Sequence, residues 1–271
     1  MSSAAPRRRV LAVRGGESRS LRDRLAAEEP MEIRVSEAGG PGRRVAVTMR
    51  TPGHDFELAA GFLVTEGVVA PGAVTRVAYC DDVDREDQRF NVVTVTAAVP
   101  VELAEGRRAA TSACGVCGKT SLEDVEVRCD PLPTGPSVPR EVLLGLPAAL
   151  EDAQRVFAET GGLHGAGLFG ADGVLQVARE DIGRHNAVDK VIGHRALAGA
   201  LPLSGTVLMV SGRAGFEIVQ KAAVAGIPVV ASVSAPSSLA AEAAERLGMT
   251  LVGFLRGDGF NVYTGPDRIE G

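Results

Sequence analysis

Thr206-Val207-Leu208-Met209-Val210, Ile227-Pro228-Val229-Val230-Ala231-Ser232-Val233 and Thr250-Leu251-Val252-Gly253-Phe254-Leu255 are three short, nearly unbroken apolar runs. Each has the length of a strand buried on both faces, and two alanine-rich segments of helical length, 215–225 and 237–247, separate them. The order β-α-β-α-β makes the helices crossovers, the strands parallel and the sheet covered by helices. In such a sheet ligands bind at the carboxyl ends of the strands. That directs attention to Ser211-Gly212-Arg213 and to Arg256-Gly257-Asp258-Gly259.

Working outward from this core, 189–200 reads as the continuation of a helix begun near Asp181, 165–170 as a short strand and 142–157 as helical. Between 130 and 139 the chain carries Pro131, Pro133, Pro136 and Pro139 with Gly135, a run that holds neither helix nor central strand. The domain junction is placed there. Upstream, 31–36 and 44–50 alternate around a glycine-rich turn and read as a hairpin. Residues 55–65 read as an amphipathic helix stopped at Gly67, while 74–79 and 90–98 return to a β pattern across an acidic loop at Asp81, Asp82 and Asp84. The expected organisation is α/β: a disordered lead-in over 1–28, an α+β domain over 29–139 and an α/β domain over 140–271. No internal repeat is visible.

Composition narrows the function classes. The 271 residues are 45% apolar and 23% charged, the balance of a packed soluble protein. A net charge of -5 is the wrong sign for gripping nucleic acid through phosphates, and eight Phe, two Tyr and no Trp leave few rings for base stacking. No apolar run approaches the ~20 residues of a membrane span. Arg7, Arg8 and Arg9 are followed by too few apolar residues for a signal peptide, so we expect a cytoplasmic protein with reduced thiols.

The densest chemical signal is Thr111-Ser112-Ala113-Cys114-Gly115-Val116-Cys117-Gly118-Lys119. Two thiols three apart on a loop of small residues, with a cation beside them, favour a populated, accessible thiolate. A zinc half-site is the bland alternative, but a structural zinc needs four ligands, and Cys80 and Cys129 stand alone. A zinc deaminase needs a proline before the first cysteine and a His-x-Glu, and neither is present. No structural zinc is expected.

The second cluster is Arg179-Glu180-Asp181-Ile182-Gly183-Arg184-His185-Asn186-Ala187-Val188-Asp189-Lys190, where charges, His185 and Asn186 gather on one helical stretch. It reads either as a functional cluster or as a solvated helix face. Ser211-Gly212-Arg213, between strand and helix, offers backbone N–H groups and a guanidinium to an anion, with an ordinary turn as the alternative. Glu217 and Lys221, four apart on the next helix, read as a surface pair. His164, among glycines at a strand entry, is either close to a ligand or a satisfied core histidine. His194 and Cys80 receive no role.

Together, the cysteine loop, the 179–190 block, Ser211-Gly212-Arg213 followed by Glu217 and Lys221, and the Phe254-Leu255-Arg256-Gly257 turn resemble the FdhD family of formate dehydrogenase accessory sulfurtransferases over about residues 30–264. The resemblance implies a cytidine-deaminase-like C-terminal domain with a mixed, partly parallel sheet and no deaminase activity. It implies a sulfurtransferase that takes persulfide sulfur from a cysteine desulfurase and passes it to the bis-molybdopterin guanine dinucleotide molybdenum cofactor, before that cofactor enters apo formate dehydrogenase. Cys114 is then the persulfide carrier, with Cys117 assisting. Expected contacts to the cofactor and its guanine nucleotide are Phe254, Leu255, Arg256, Gly257, Asp258 and Gly259, with Ser211, Gly212, Arg213, Arg184, His185 and Asn186. The rival function is a chaperone that shields and delivers the cofactor without carrying sulfur, and a dithiol oxidoreductase ranks third. A homodimer is expected, packed through the alanine- and glycine-rich C-terminal helices. No nucleic-acid or membrane partner is expected.

Overall fold

The protein is described here from a computed structural model, which covers residues 3–80, 90–99, 101, 110–111, 129–133 and 135–271. The stretch expected to be disordered opens the fold instead: β1 (Arg7–Arg14) and β2 (Glu17–Arg24) pair antiparallel in full register. Gly15 and Gly16, both at positive φ (57° and 86°), supply the two-residue turn that matches strand twist. The charged, glycine-containing composition conceals this hairpin from a reading based on hydrophobicity.

The N-terminal sheet has the order β5-β6-β3-β4-β7. It contains β3 (Glu29–Glu37), β4 (Arg43–Arg50), β5 (Val74–Tyr79), β6 (Val92–Ala97) and the short β7 (Ala110–Thr111). The expected hairpin is β3–β4, and β6 adds to β3 in parallel. Alternation places Met31, Ile33 and Val35 on one face, each fully buried against Leu58, Ala59 and Leu63 of α1 (Asp55–Thr65).

After β8 (Val138–Pro139) come α2 (Arg140–Ala153), α3 (Arg155–Thr160), β9 (His164–Gly170) and β10 (Leu175–Asp181). Then follow α4 (Arg184–Leu197), β11 (Thr206–Val210), α5 (Phe216–Val224), β12 (Val229–Ser232), α6 (Ser238–Arg246), β13 (Thr250–Arg256) and β14 (Gly259–Thr264). The sheet order is β10-β9-β11-β12-β13-β14, with β11, β12 and β13 parallel and the other pairings antiparallel. Val207 and Met209 point to α2, where Leu143, Leu146 and Leu150 meet them; Leu208 and Val210 point to α4, α5 and α6. A final short strand, β15 (Ile269–Glu270), returns to pair with β8.

Further sequence expectations fail for identifiable reasons. Asp181 ends β10 rather than starting a helix, because it pairs with His164 across the sheet, and α4 begins only at Arg184. The alanines of α5 and α6 are core rather than dimer surface: Ala222, Ala240 and Ala244 are fully buried under the six-stranded sheet.

Helix α4 is buried almost all round because it lies between the six-stranded sheet and α1. At the α1–α4 crossing, a Cβ on Gly61 would fall inside the Asp189 carbonyl and one on Gly193 inside the Glu57 carbonyl, so the two backbones touch. Charged side chains seal the same contact. Lys190 Nζ lies 2.7 Å from Asp181 Oδ2, and Lys221 Nζ lies 3.0 Å from both Asp189 oxygens and 3.1 Å from Glu66 Oε1. Glu217 and Lys221 are therefore not a surface pair; each turns to a different buried partner.

Candidate functional site

The parallel strands end on one edge of the six-stranded sheet, and β9, running opposite, begins there. His164, Ser211, Val233, Arg256 and Gly257 consequently meet at one crevice of about 820 Å³. Its far wall is α2 and α3, through Leu144, Pro147, Gln154 and Phe157. The two loops chosen from the strand ends lie side by side with His164 between them.

Within Ser211-Gly212-Arg213 the roles divide. Ser211 is a bracket: its N–H donates to the Gly165 carbonyl at 3.0 Å, and its hydroxyl accepts from Gly165 N–H at 2.8 Å. Gly212 lies against the His164 ring, where a side chain would crowd Nδ1, and its carbonyl accepts from Ser232 Oγ at 2.7 Å. Arg213 is exposed, and its side chain makes no hydrogen bond or ion pair among the described residues. Burial, and next the charge of Arg184, lower the pKa of His164, so its imidazole is neutral at pH 7 and offers one donor and one acceptor.

The 254–259 loop carries the second set of donors. Phe254 holds φ at 54°, a left-handed conformation costly for an aromatic residue, and its N–H donates to Ser234 O at 3.1 Å. This kink breaks the β13–β14 register between Gly253 and Arg256 and leaves the Phe254 ring partly exposed, with the Arg256 guanidinium 5.7 Å from its centre. Leu255 points the other way and is fully buried in the core, so only its backbone can face a ligand. Gly257 and Asp258 form the turn, with Arg256 opposite Gly259.

Of the 179–190 block, Arg184 comes close to His164 at the crevice edge, and most of the rest turns inward. Arg184 starts α4 with its Cβ beside Gly212, and its Nε is buried without a hydrogen-bond partner. His185 Nε2 sits 2.6 Å from Glu217 Oε2, a close contact that is not aligned as a hydrogen bond, and His185 Nδ1 also lacks a partner among the described residues. Asn186 is different: its amide donates to Met49 O at 2.8 Å and Asp181 Oδ1 at 2.9 Å, and its oxygen accepts from Thr48 at 3.3 Å. The side chain is consumed in tying β4 to α4, so the expected ligand contact at Asn186 is corrected to a structural one. Asp181 is likewise saturated by Thr51 N, Gly183 N, Asn186 and Lys190.

His194, given no role from sequence, closes a surface clasp. Its Nδ1 lies 3.0 Å from Glu57 Oε1, and Arg179 binds both oxygens of the same carboxylate at 2.5 and 2.7 Å. Burial opposes the charge on Glu57, but the bonds from Arg179, His54 and His194 outweigh it and hold the carboxyl far below its usual range. The α2–α3 wall escaped the sequence reading, since nothing in an amphipathic helix marks which end faces a crevice, and Glu217 was placed on the surface rather than against His185. Cys114 and Cys117 lie outside the described residues.

Comparison with known proteins agrees with this architecture. Residues 26–270 match the FdhD/NarQ family. The chain is 50% identical to the sulfur carrier protein FdhD of Streptomyces coelicolor, over 99% of this chain and 97% of that one. It is 49% identical to that of Mycobacterium tuberculosis, over 99% and 100%. The crystal structure of a putative formate dehydrogenase accessory protein from Desulfotalea psychrophila superposes with a TM-score of 0.78 at 28% identity, covering 99% of this chain and all of the other. The chain belongs to the FdhD/NarQ family.

Proposed function

We propose that this chain is a cytoplasmic sulfur carrier for formate dehydrogenase maturation. Cys114 accepts a sulfur atom from a cysteine desulfurase, and the crevice binds the substrate that receives it, the bis-molybdopterin guanine dinucleotide form of the molybdenum cofactor. The observation that carries the reading is a crevice lined by Arg256 and a neutral His164, with the charges of Arg184 and Arg213 close to that histidine and Glu151 the one carboxylate among the described lining residues. Such a surface suits a large ligand bearing several phosphates. The names of the relatives and the Cys114-x-x-Cys117 loop supply the sulfur chemistry.

In loading, the Cys114 thiolate attacks the terminal sulfur of the donor's persulfide; the new S–S bond forms on Cys114 and the donor cysteine leaves as thiolate. In delivery, the Cys117 thiolate attacks Cys114 Sγ, a disulfide forms and the terminal sulfur leaves as hydrosulfide, reduced by the two electrons the thiol pair gives up. Intact-protein mass spectrometry after incubation with a desulfurase and cysteine tests the loading step. A gain of one sulfur atom, lost in Cys114→Ala, is expected. No gain on the wild type would replace the carrier with a chaperone that only binds and hands over the cofactor.

A further inference from the structure

The crevice has two unlike sides. The strand ends bring His164, Ser211, Arg256 and Gly257, which offer a neutral imidazole, a cation and backbone groups. Across from them, α2 and α3 present the apolar surface of Leu144, Pro147 and Phe157, and Glu151 adds a carboxylate from the last turn of α2. A nucleotide divides in the same way, into phosphates that take charged donors and a flat base that takes apolar walls with a few edge contacts.

Glu151 has no structural task among the described residues: it is exposed, and its side chain makes no hydrogen bond or ion pair with them. A carboxylate facing a polyanion repels it unless the ligand brings donors to meet it. Three residues on, at the joint of α2 and α3, Gln154 is buried in the same wall, and its amide nitrogen has no hydrogen-bond partner among the described residues. That amide lies flat on Gly165, where a Cβ would stand 2.7 Å from both Nε2 and Oε1. The wall itself is fixed, since the Glu180 carboxylate on β10 accepts from Val156 N–H at 3.0 Å and Phe157 N–H at 2.7 Å.

Few base edges suit this wall. Guanine carries N1–H and the N2 amino group side by side, so one carboxylate accepts from both, and the adjoining O6 accepts from an amide N–H. Adenine offers one donor beside an acceptor. Hypoxanthine keeps N1–H but lacks the amino group, and xanthine puts a carbonyl in its place, which a carboxylate repels.

We propose that Glu151 is the residue that selects guanine in this crevice. Its carboxylate accepts from N1–H and the N2 amino group, Gln154 donates to O6, Phe157 covers the ring, and the phosphates extend to Arg256 and His164. The proposal rests on the crevice being the cofactor's binding site and adds which side holds the base.

Calorimetry of the full chain with GDP and with the inosine, xanthosine and adenosine diphosphates tests it. Wild type should prefer GDP to each of the others by roughly tenfold or more, the worth of one hydrogen bond to a charged group. Glu151→Gln replaces one acceptor oxygen with an amino donor, so its affinity for GDP should fall roughly 10- to 100-fold. Its affinity for xanthosine diphosphate should rise, because the new donor meets the 2-carbonyl. A merely structural role for Glu151 would weaken both nucleotides together. A wild type that holds the adenosine or xanthosine diphosphate as tightly as GDP overturns the proposal, and so does a Glu151→Gln variant with an unchanged ratio of GDP to xanthosine diphosphate affinity; in either case the crevice remains the nucleotide site. A wild type that binds none of the four overturns the proposal together with the assignment of the cofactor to the crevice.

Discussion

Asn186 and Arg213 look alike in sequence, each a polar residue beside a helix start, but their surroundings assign opposite roles. Asn186 has both ends of its amide bonded inside the protein, to Met49, Asp181 and Thr48. Arg213 is exposed and has no side-chain bond of its own among the described residues. Removing a bonded buried amide leaves partners unsatisfied and costs about 1–3 kcal/mol. Removing a free guanidinium costs the fold nothing but takes a charge-assisted contact of about 1.5–3 kcal/mol from an anionic ligand, roughly 10- to 100-fold in affinity. Calorimetry with GDP and thermal unfolding together should therefore split the two variants. Arg213→Ala is expected to lose GDP affinity at unchanged Tm, whereas Asn186→Ala loses Tm. Unchanged GDP affinity in Arg213→Ala would move the phosphates to Arg184 or Arg256.

At the scale of elements, the crossing of α1 and α4 joins the two sheets. Its closeness depends on Gly61 and Gly193, which face the opposing carbonyls. Nothing in the sequence marks these two among 33 glycines. Gly193→Ala must push the helices apart, an overpacking that costs about 1–3 kcal/mol or more; denaturant titration should show the midpoint falling with the slope unchanged. The clasp beside the crossing adds a pH dependence. Glu57 has a folded pKa below its ordinary 4.5, so its contribution is present above that value and disappears as pH falls from about 5 toward the folded pKa. Glu57→Gln should be less stable than wild type at pH 7, with the gap closing in acid. A gap that stays constant to pH 2 would show that its bonds to Arg179 and His194 do not depend on charge.

At the scale of the whole molecule, the strands and helices were legible wherever a segment is buried on a regular face, as in β11, β12, β13 and α1, because burial writes its period into the sequence. Hairpin β1–β2 was not legible, since an exposed pair of strands has no apolar period and is specified by its turn. The crevice was half legible. Strand ends point to 211–213 and 254–259, but the same polar composition that marks Arg184 also marks Asp181, Asn186, Asp189 and Lys190, and only three dimensions show that these four work inside. Those buried ties bear on how the molecule melts. Lys221 on α5 holds Asp189 on α4 together with Thr65 on α1, all three buried, and the half-buried Glu66 just beyond α1. Burial works against the charge on Lys221, but the Asp189 and Glu66 carboxylates outweigh it and keep the ammonium above its usual range. A link of this kind, added to touching backbones, couples the N-terminal sheet to the six-stranded sheet more tightly than a linker between independent domains would. Scanning calorimetry should give one transition with equal calorimetric and van't Hoff enthalpies. Lys221→Met, which strands the Asp189 charge at a cost of about 3–5 kcal/mol, should lower Tm by roughly 10 °C without splitting the peak. Two resolved peaks in the wild type would mean that each sheet melts on its own core, and that the buried lysine fixes how the halves sit without binding their stabilities together.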